Sequence, residues 1–200
     1  MTEADTFQQI SSQLERGEID SAQFLERLAR FITGHIECSR AGVWFFIDTP
    51  TGRVLRCAAM YDSSRDAMVA ARDIPNASIG PFFQALMRDG CVVASDARTH
   101  PALVELLAGY VHPLGIHSQL AICFSVNGVL LGIFSCEQVG GAKAWTQRHL
   151  QSLRQIGSHA SLTLMRAASS VVDTAPGALW ITTDPNRLAT LPMPLDPQEI

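Results

Sequence analysis

The residues that could do chemistry are few and scattered. Five cysteines, Cys38, Cys57, Cys91, Cys123 and Cys136, are widely spaced, odd in number and without a CxxC pair. Most sit in apolar runs such as Ala121-Ile122-Cys123-Phe124, where a free thiol behaves as a small buried hydrophobe. Thiol redox catalysis needs an accessible thiol of low pKa beside a resolving partner. Only Cys91 and Cys136 are candidates to face a common pocket. Of six histidines, His112 and His117 lie five apart across Pro113 and Gly115, which is not a zinc-ligand spacing. Asp96 and Glu137 are the carboxylates expected at a pocket rim, without the look of a general acid and base pair. No GxSxG, HExxH, Walker A or GxGxxG pattern occurs. The expectation is therefore a protein with neither a catalytic nor a metal site.

Composition narrows the class. Two hundred residues, 47% hydrophobic and 17% charged, suffice for one domain with a core that needs no metal or disulfide. These proportions exclude a wholly disordered chain, a collagen and a coiled-coil rod. The net charge is −4 and the only lysine is Lys143, so no basic surface points to nucleic acid or to a membrane. The acidic start is unlike a signal peptide, and no apolar run approaches the ~18 residues of a membrane span. A cytoplasmic location is expected.

The elements that must position these residues follow from periodicity. Phe7, Ile10 and Leu14 predict a helix over 3–17. Asp20 or Ser21 caps a second, whose stripe runs from Phe24 and Leu25 through Leu28, Phe31 and Ile32 to His35 and Ile36. Residues 41–47 and 53–61, around the turn cluster 48–52, read as an antiparallel hairpin. A third strand is predicted over 68–74, a helix through Phe82, Phe83, Leu86 and Met87, and a short strand at 91–94. Pro101 opens another helix that continues to Tyr110. Two strands, 116–126 and 129–138, flank Asn127-Gly128, a hairpin turn signal. Gly132 marks close backbone approach. Thr146 caps a long helix to about residue 171, with a weaker cap expected because His149 stands where a capping box carries an acid. Five of the ten prolines fall in 172–200, which reads as an extended tail. The predicted organisation is an N-terminal helix (1–19), an α+β domain (20–171) and a Pro-rich tail (172–200).

Ser95-Asp96-Ala97 with His100-Pro101, then Tyr110 with Leu114-Gly115-Ile116-His117-Ser118 and Leu120, then residues 132–140, then Trp145-Thr146 together resemble a GAF domain. The likeness is to the sensor type of bacterial histidine kinases and diguanylate cyclases and covers about residues 20–170. It implies a six-stranded antiparallel sheet with the terminal helices on one face and a ligand pocket on the other. It also implies a non-catalytic sensory module that binds an unidentified small molecule and relays the event through its terminal helices to a signalling partner. The implied lining comprises Phe46, Met60, Phe83, Leu86 and Leu120, with Asp96, Tyr110, His117, Ser118 and Cys136 as its more polar part.

The cofactor is left unknown. Asp73-Ile74-Pro75 resembles the Asp-Ile-Pro motif of phytochrome GAF domains, but residues 101–107 hold neither the Cys nor the His used for bilin attachment there, which argues against a covalent bilin. The position of Lys143 departs from the cyclic-nucleotide pattern. Two alternatives stand beside the sensor: a ligand-free dimerisation or interaction scaffold, and an enzyme similar to free methionine sulfoxide reductases. A parallel homodimer through the terminal helices is expected, with Leu150, Leu153, Gly157, Ala160, Leu164 and Ala167 as its seam.

Overall fold

A computed structural model describes residues 6–75, 78–126 and 128–171. The expected turn residue Asn127 and the Pro-rich tail lie outside them. Helix α1 (Phe7–Glu15) starts at Thr6, whose hydroxyl accepts from Gln9 N while Gln9 Oε1 accepts from Thr6 N. Helix α2 (Ser21–Ile36) starts on the same reciprocal arrangement between Asp20 and Gln23. Its stripe buries Phe24, Leu25, Leu28, Ile32 and Ile36.

Strands β1 (Arg40–Thr49) and β2 (Gly52–Asp62) form the first hairpin, paired from Arg40↔Asp62 to Thr49↔Gly52. Strands β6 (Ile116–Val126) and β7 (Val129–Val139) form the second, closed at Val126↔Val129. β7 also pairs antiparallel with β1, and β5 (Cys91–Ala94) with β6. The sheet order is β3-β2-β1-β7-β6-β5, with β3 (Ala67–Met68) on the outer edge of β2. A further two-residue strand, β4 (Ile74–Pro75), pairs with β2 away from that path.

The sheet separates two apolar layers. Along β1, Ala41, Val43, Phe45 and Ile47 pack beneath α1, α2 and the long helix α4 (Gln147–Val171). Trp44 and Phe46 point the other way, under α3 (Gly80–Asp89) and the segment 101–111, as the two-residue side-chain period of a strand requires. Gly132 makes the β1–β7 approach possible: a Cβ there would lie 1.8 Å from the Trp44 carbonyl oxygen.

Four sequence expectations are corrected. Residues 68–74 are not one strand. Ala67 and Met68 pair with the end of β2, Ile74 and Pro75 with its beginning, and 69–73 carry no strand pairing. The segment after Pro101 is not an α-helix but a 3₁₀ turn (Pro101–Leu106) followed by a π turn (Leu107–Val111), in which His112 N bonds to Leu107 O at 2.9 Å. The cap of α4 is complete without an acid, because His149 Nδ1 accepts from Thr146 N and Thr146 Oγ1 from His149 N. The expected seam on α4 is largely intramolecular. Leu150, Leu153, Ala160 and Leu164 are buried in the chain's own core, and a Cβ on Gly157 would meet Ile122 Cδ1 at 2.9 Å. A sheet face and a second helix demand the same spacing, and here the sheet takes it. α1 joins this layer through Ile10 and Leu14.

Candidate functional site

A cavity of about 710 Å³ opens on the sheet face opposite α1, α2 and α4. One wall is the run Val69–Asp73 between β3 and β4, bonded to β2 at its start through Val69 N and Met60 O. The other includes Leu106, Gly109 and Tyr110, from the 3₁₀ and π turns, and Leu114 just beyond them. Met60, Val69, Ala71, Ile74 and Leu106 supply an apolar body, and Arg40, Asp62 and Tyr110 add polar groups. This volume and mixture match a small-molecule site.

Behind these polar groups lies a buried network. Tyr110 donates its hydroxyl hydrogen to Glu137 Oε1 at 2.5 Å, and Glu137 is fully buried. Arg40 Nε donates to Asp62 Oδ2 at 2.7 Å, and an Arg40 guanidinium nitrogen lies 4.0 Å from Glu137 Oε2. That oxygen has no hydrogen-bond partner among the described residues. Burial pushes the Glu137 carboxyl up to about 7, although the Tyr110 hydroxyl and Arg40 pull it down. Burial, followed by Glu137, drives the Tyr110 phenol well above its ordinary value. Burial also works against an ionised Asp62, but bonds from Ser64 and Arg40 outweigh it and hold that carboxyl below the usual range.

The family assignment rests on the sequence itself. The profile of the GAF domain matches residues 20–164. This chain belongs to the GAF domain family. Solved structures share the fold at low identity. The phycoerythrobilin-bound GAF domain from a cyanobacterial phytochrome aligns with a TM-score of 0.65 and 12% identity, over 82% of this chain and 95% of that one. The Stigmatella aurantiaca phytochrome photosensory core module aligns at 0.61 and 14%, over 82% of this chain but only 37% of its own length. Free methionine-R-sulfoxide reductase from Neisseria meningitidis, in complex with its substrate, aligns at 0.58 and 15%, over 86% and 95%. Comparison with curated proteins yields no match.

The GAF fold distributes the expected pocket residues unevenly. Met60 and Tyr110 line the cavity. Phe46, Phe83 and Leu86 share its apolar layer but pack beside it, with the Phe46 and Phe83 rings edge to face at 5.5 Å. Leu120 and Cys136 are corrected: both belong to the core under the helices. Their neighbours Ala121 and Glu137 take the cavity side, because successive strand residues face opposite ways. Asp96 is exposed and accepts from Arg98 N and Thr99 Oγ1. His117 contacts Arg98 Nη2 at 3.3 Å. Ser118 ties loops together, donating to Ser95 O and accepting from Lys143 N, both at 2.7 Å. None of these three lines the cavity.

Arg40, Asp62, Arg65 and Arg72 were missed as site residues, though each lines the cavity. Arg40 left one usable signal, a guanidinium opening a strand that is otherwise buried. Asp73-Ile74-Pro75, the phytochrome-like tripeptide, does lie in the wall, and Asp73 is held by Arg56 at 2.8–3.2 Å. None of the five cysteines lines the cavity. Cys91 and Cys136, expected to share a pocket, both pack on the helix side. Burial pushes the thiols of Cys57 and Cys136 upward. Among the described residues, no cluster of His, Cys, Asp and Glu could hold a metal ion, and no helix is long and apolar enough to cross a membrane.

Proposed function

We propose that this GAF domain is a sensory module that holds a small molecule in the cavity between β2 and the 3₁₀–π segment. The observation that carries this reading is the cavity itself: about 710 Å³, apolar in its body, with Arg40, Asp62 and Tyr110 converging on it. A route for the signal accompanies it. Tyr110 is bonded to Glu137 on β7, and the same strand sends Phe134 and Cys136 into the core beneath α4. A ligand that moves Tyr110 would bias the packing of α4, and with it a partner docked on the terminal helices, through a shift between two arrangements. A homodimer through those helices belongs to this reading, its contact surface being their outward face.

Native mass spectrometry of the purified protein, against its denatured mass, tests the reading. A mass difference lost on denaturation, and reduced in Ala71→Trp, whose indole would take up part of the cavity, supports it. An empty wild type that no member of a metabolite library stabilises against heat overturns it. The scaffold alternative has one observation in its favour, since Phe46, Phe83 and Leu86 fill much of this face from within. A reductase reading would need an accessible thiol at the cavity, which has none in its lining.

A further inference from the structure

Three arginines and three carboxylates line the cavity, but they are not paired one to one. Each lining carboxylate is engaged. Asp62 accepts from Arg40 and Ser64, Asp73 from Arg56, and Glu105 from the Gly80 backbone N–H at 3.0 Å. Arg40 is committed to Asp62. Arg65 and Arg72 are different: both are exposed, both line the cavity, and among the described residues neither guanidinium has a hydrogen bond or ion pair. Arg65 precedes β3 and Arg72 lies in the run between β3 and β4 that carries no strand pairing. Two guanidinium groups without a direct partner among the described residues therefore border an apolar interior.

We infer that the cavity selects an organic anion, with an apolar body against Met60, Val69, Ala71, Ile74 and Leu106 and its acidic group at Arg65 and Arg72. The chemistry favours this class. A guanidinium offers a fork of N–H donors that fits the oxygens of a carboxylate, sulfonate or phosphate, and it remains charged at any physiological pH. Neutral ligands would leave both forks to water. Cationic ligands would meet them as like charges, with Asp62 and Asp73 already in ion pairs and Glu105 bonded to the Gly80 backbone. The inference rests on the cavity being a binding site and goes on to name what it binds.

Two probes of nearly the same shape test it. 8-Anilinonaphthalene-1-sulfonate carries an acidic group on an aromatic body, and N-phenyl-1-naphthylamine is that body without it. Fluorescence titration of the full chain at low salt should give at least tenfold tighter binding of the sulfonate. The preference should shrink with added salt and vanish in Arg65→Gln/Arg72→Gln, with the neutral probe unchanged. Arg65→Lys/Arg72→Lys, which keeps the charge, should retain part of it. Ala71→Trp should weaken binding of both probes, and circular dichroism should show all variants folded. Equal affinity for the two probes, or a sulfonate preference that survives in the double Gln variant, overturns the anion inference alone. Saturable binding of neither probe overturns it together with the binding-site reading. Decanoate and decyl phosphate, as competitors of the bound sulfonate, then rank carboxylate against phosphate.

Discussion

Tyr110 and Glu137 are joined by a 2.5 Å hydrogen bond across 27 residues of sequence, from a π turn in the cavity wall to the buried face of a central strand. The Trp44 ring meets Tyr110 edge to face at 5.9 Å, and its Nε1 donates to Ser135 Oγ at 2.9 Å. The wall of the cavity is thus pinned to β1 and β7 together. Tyr110→Phe removes the donor and leaves both Glu137 oxygens unpartnered, because Oε2 already has no partner. We expect a loss of about 1–3 kcal/mol in urea unfolding. Unchanged stability would show that water replaces the phenol without penalty.

Glu137 should make the fold weaken as pH rises. Its carboxyl titrates near 7 in the folded chain, against an ordinary 4.5. Below 4.5 it is neutral in both states and contributes no pH dependence. Between 4.5 and 7 the unfolded chain has released the proton that the folded chain keeps, so stability declines. Above 7 the burial penalty is complete, at about 3 kcal/mol or less. Urea unfolding at pH 5, 6, 7 and 8 should show this decline in the wild type and a flatter profile in Glu137→Gln. Parallel profiles would place the titration elsewhere. Asp62 acts in the opposite sense and at lower pH, since its carboxyl is held down: its stabilisation is present above the usual carboxylate range and lost as pH falls below it.

Two glycines should respond very differently to Ala. At Gly132 the new Cβ would fall 1.8 Å from a backbone oxygen of β1, which neither strand can relieve without breaking the pairing. At Gly157 the nearest atom, at 2.9 Å, is the end of the Ile122 side chain, which can turn away. Gly132→Ala should abolish the cooperative thermal transition. Gly157→Ala should shift stability by only about 1 kcal/mol, because overpacking is partly offset by better helix propensity. Similar melting curves for the two would contradict the packing described.

Leu162 and Leu164 separate dimer contact from core. Leu162 is 45% exposed and Leu164 is 1% exposed on the same helix. If the outward face of the terminal helices joins two chains, Leu162→Glu should yield a folded monomer by light scattering. Leu164→Glu should unfold the chain, since it buries an unpaired charge. A wild type that stays monomeric at high micromolar concentration would remove the dimer.

Local chemistry was enough to read most elements. The Asp20 cap, the 48–52 turn cluster, the Asn-Gly signal, the apolar stripes of α2 and α4, and the close approach at Gly132 all depend on neighbours a few residues away, or on a residue type that tolerates one backbone arrangement. With the spacing of residues 95–146, they were enough to place the chain among GAF domains. What the sequence could not decide was direction. The stripe from Leu150 to Leu164 fits a partner helix or a sheet equally well, and only the assembled fold gives it to the sheet. Leu120 and Cys136 differ from their cavity-side neighbours by one step of a two-residue period, and the β6–β7 ladder carries shifts after Ile116 and Phe124. Tertiary structure alone brings together Arg40 and Asp62, which open and close the first hairpin, with Glu137 nearly a hundred residues on. It also sets residues 70–73 between β3 and β4 without strand pairing, which walls the cavity and leaves Arg65 and Arg72 on its border without partners among the described residues. These contacts join residues far apart in the chain, and no local pattern encodes them.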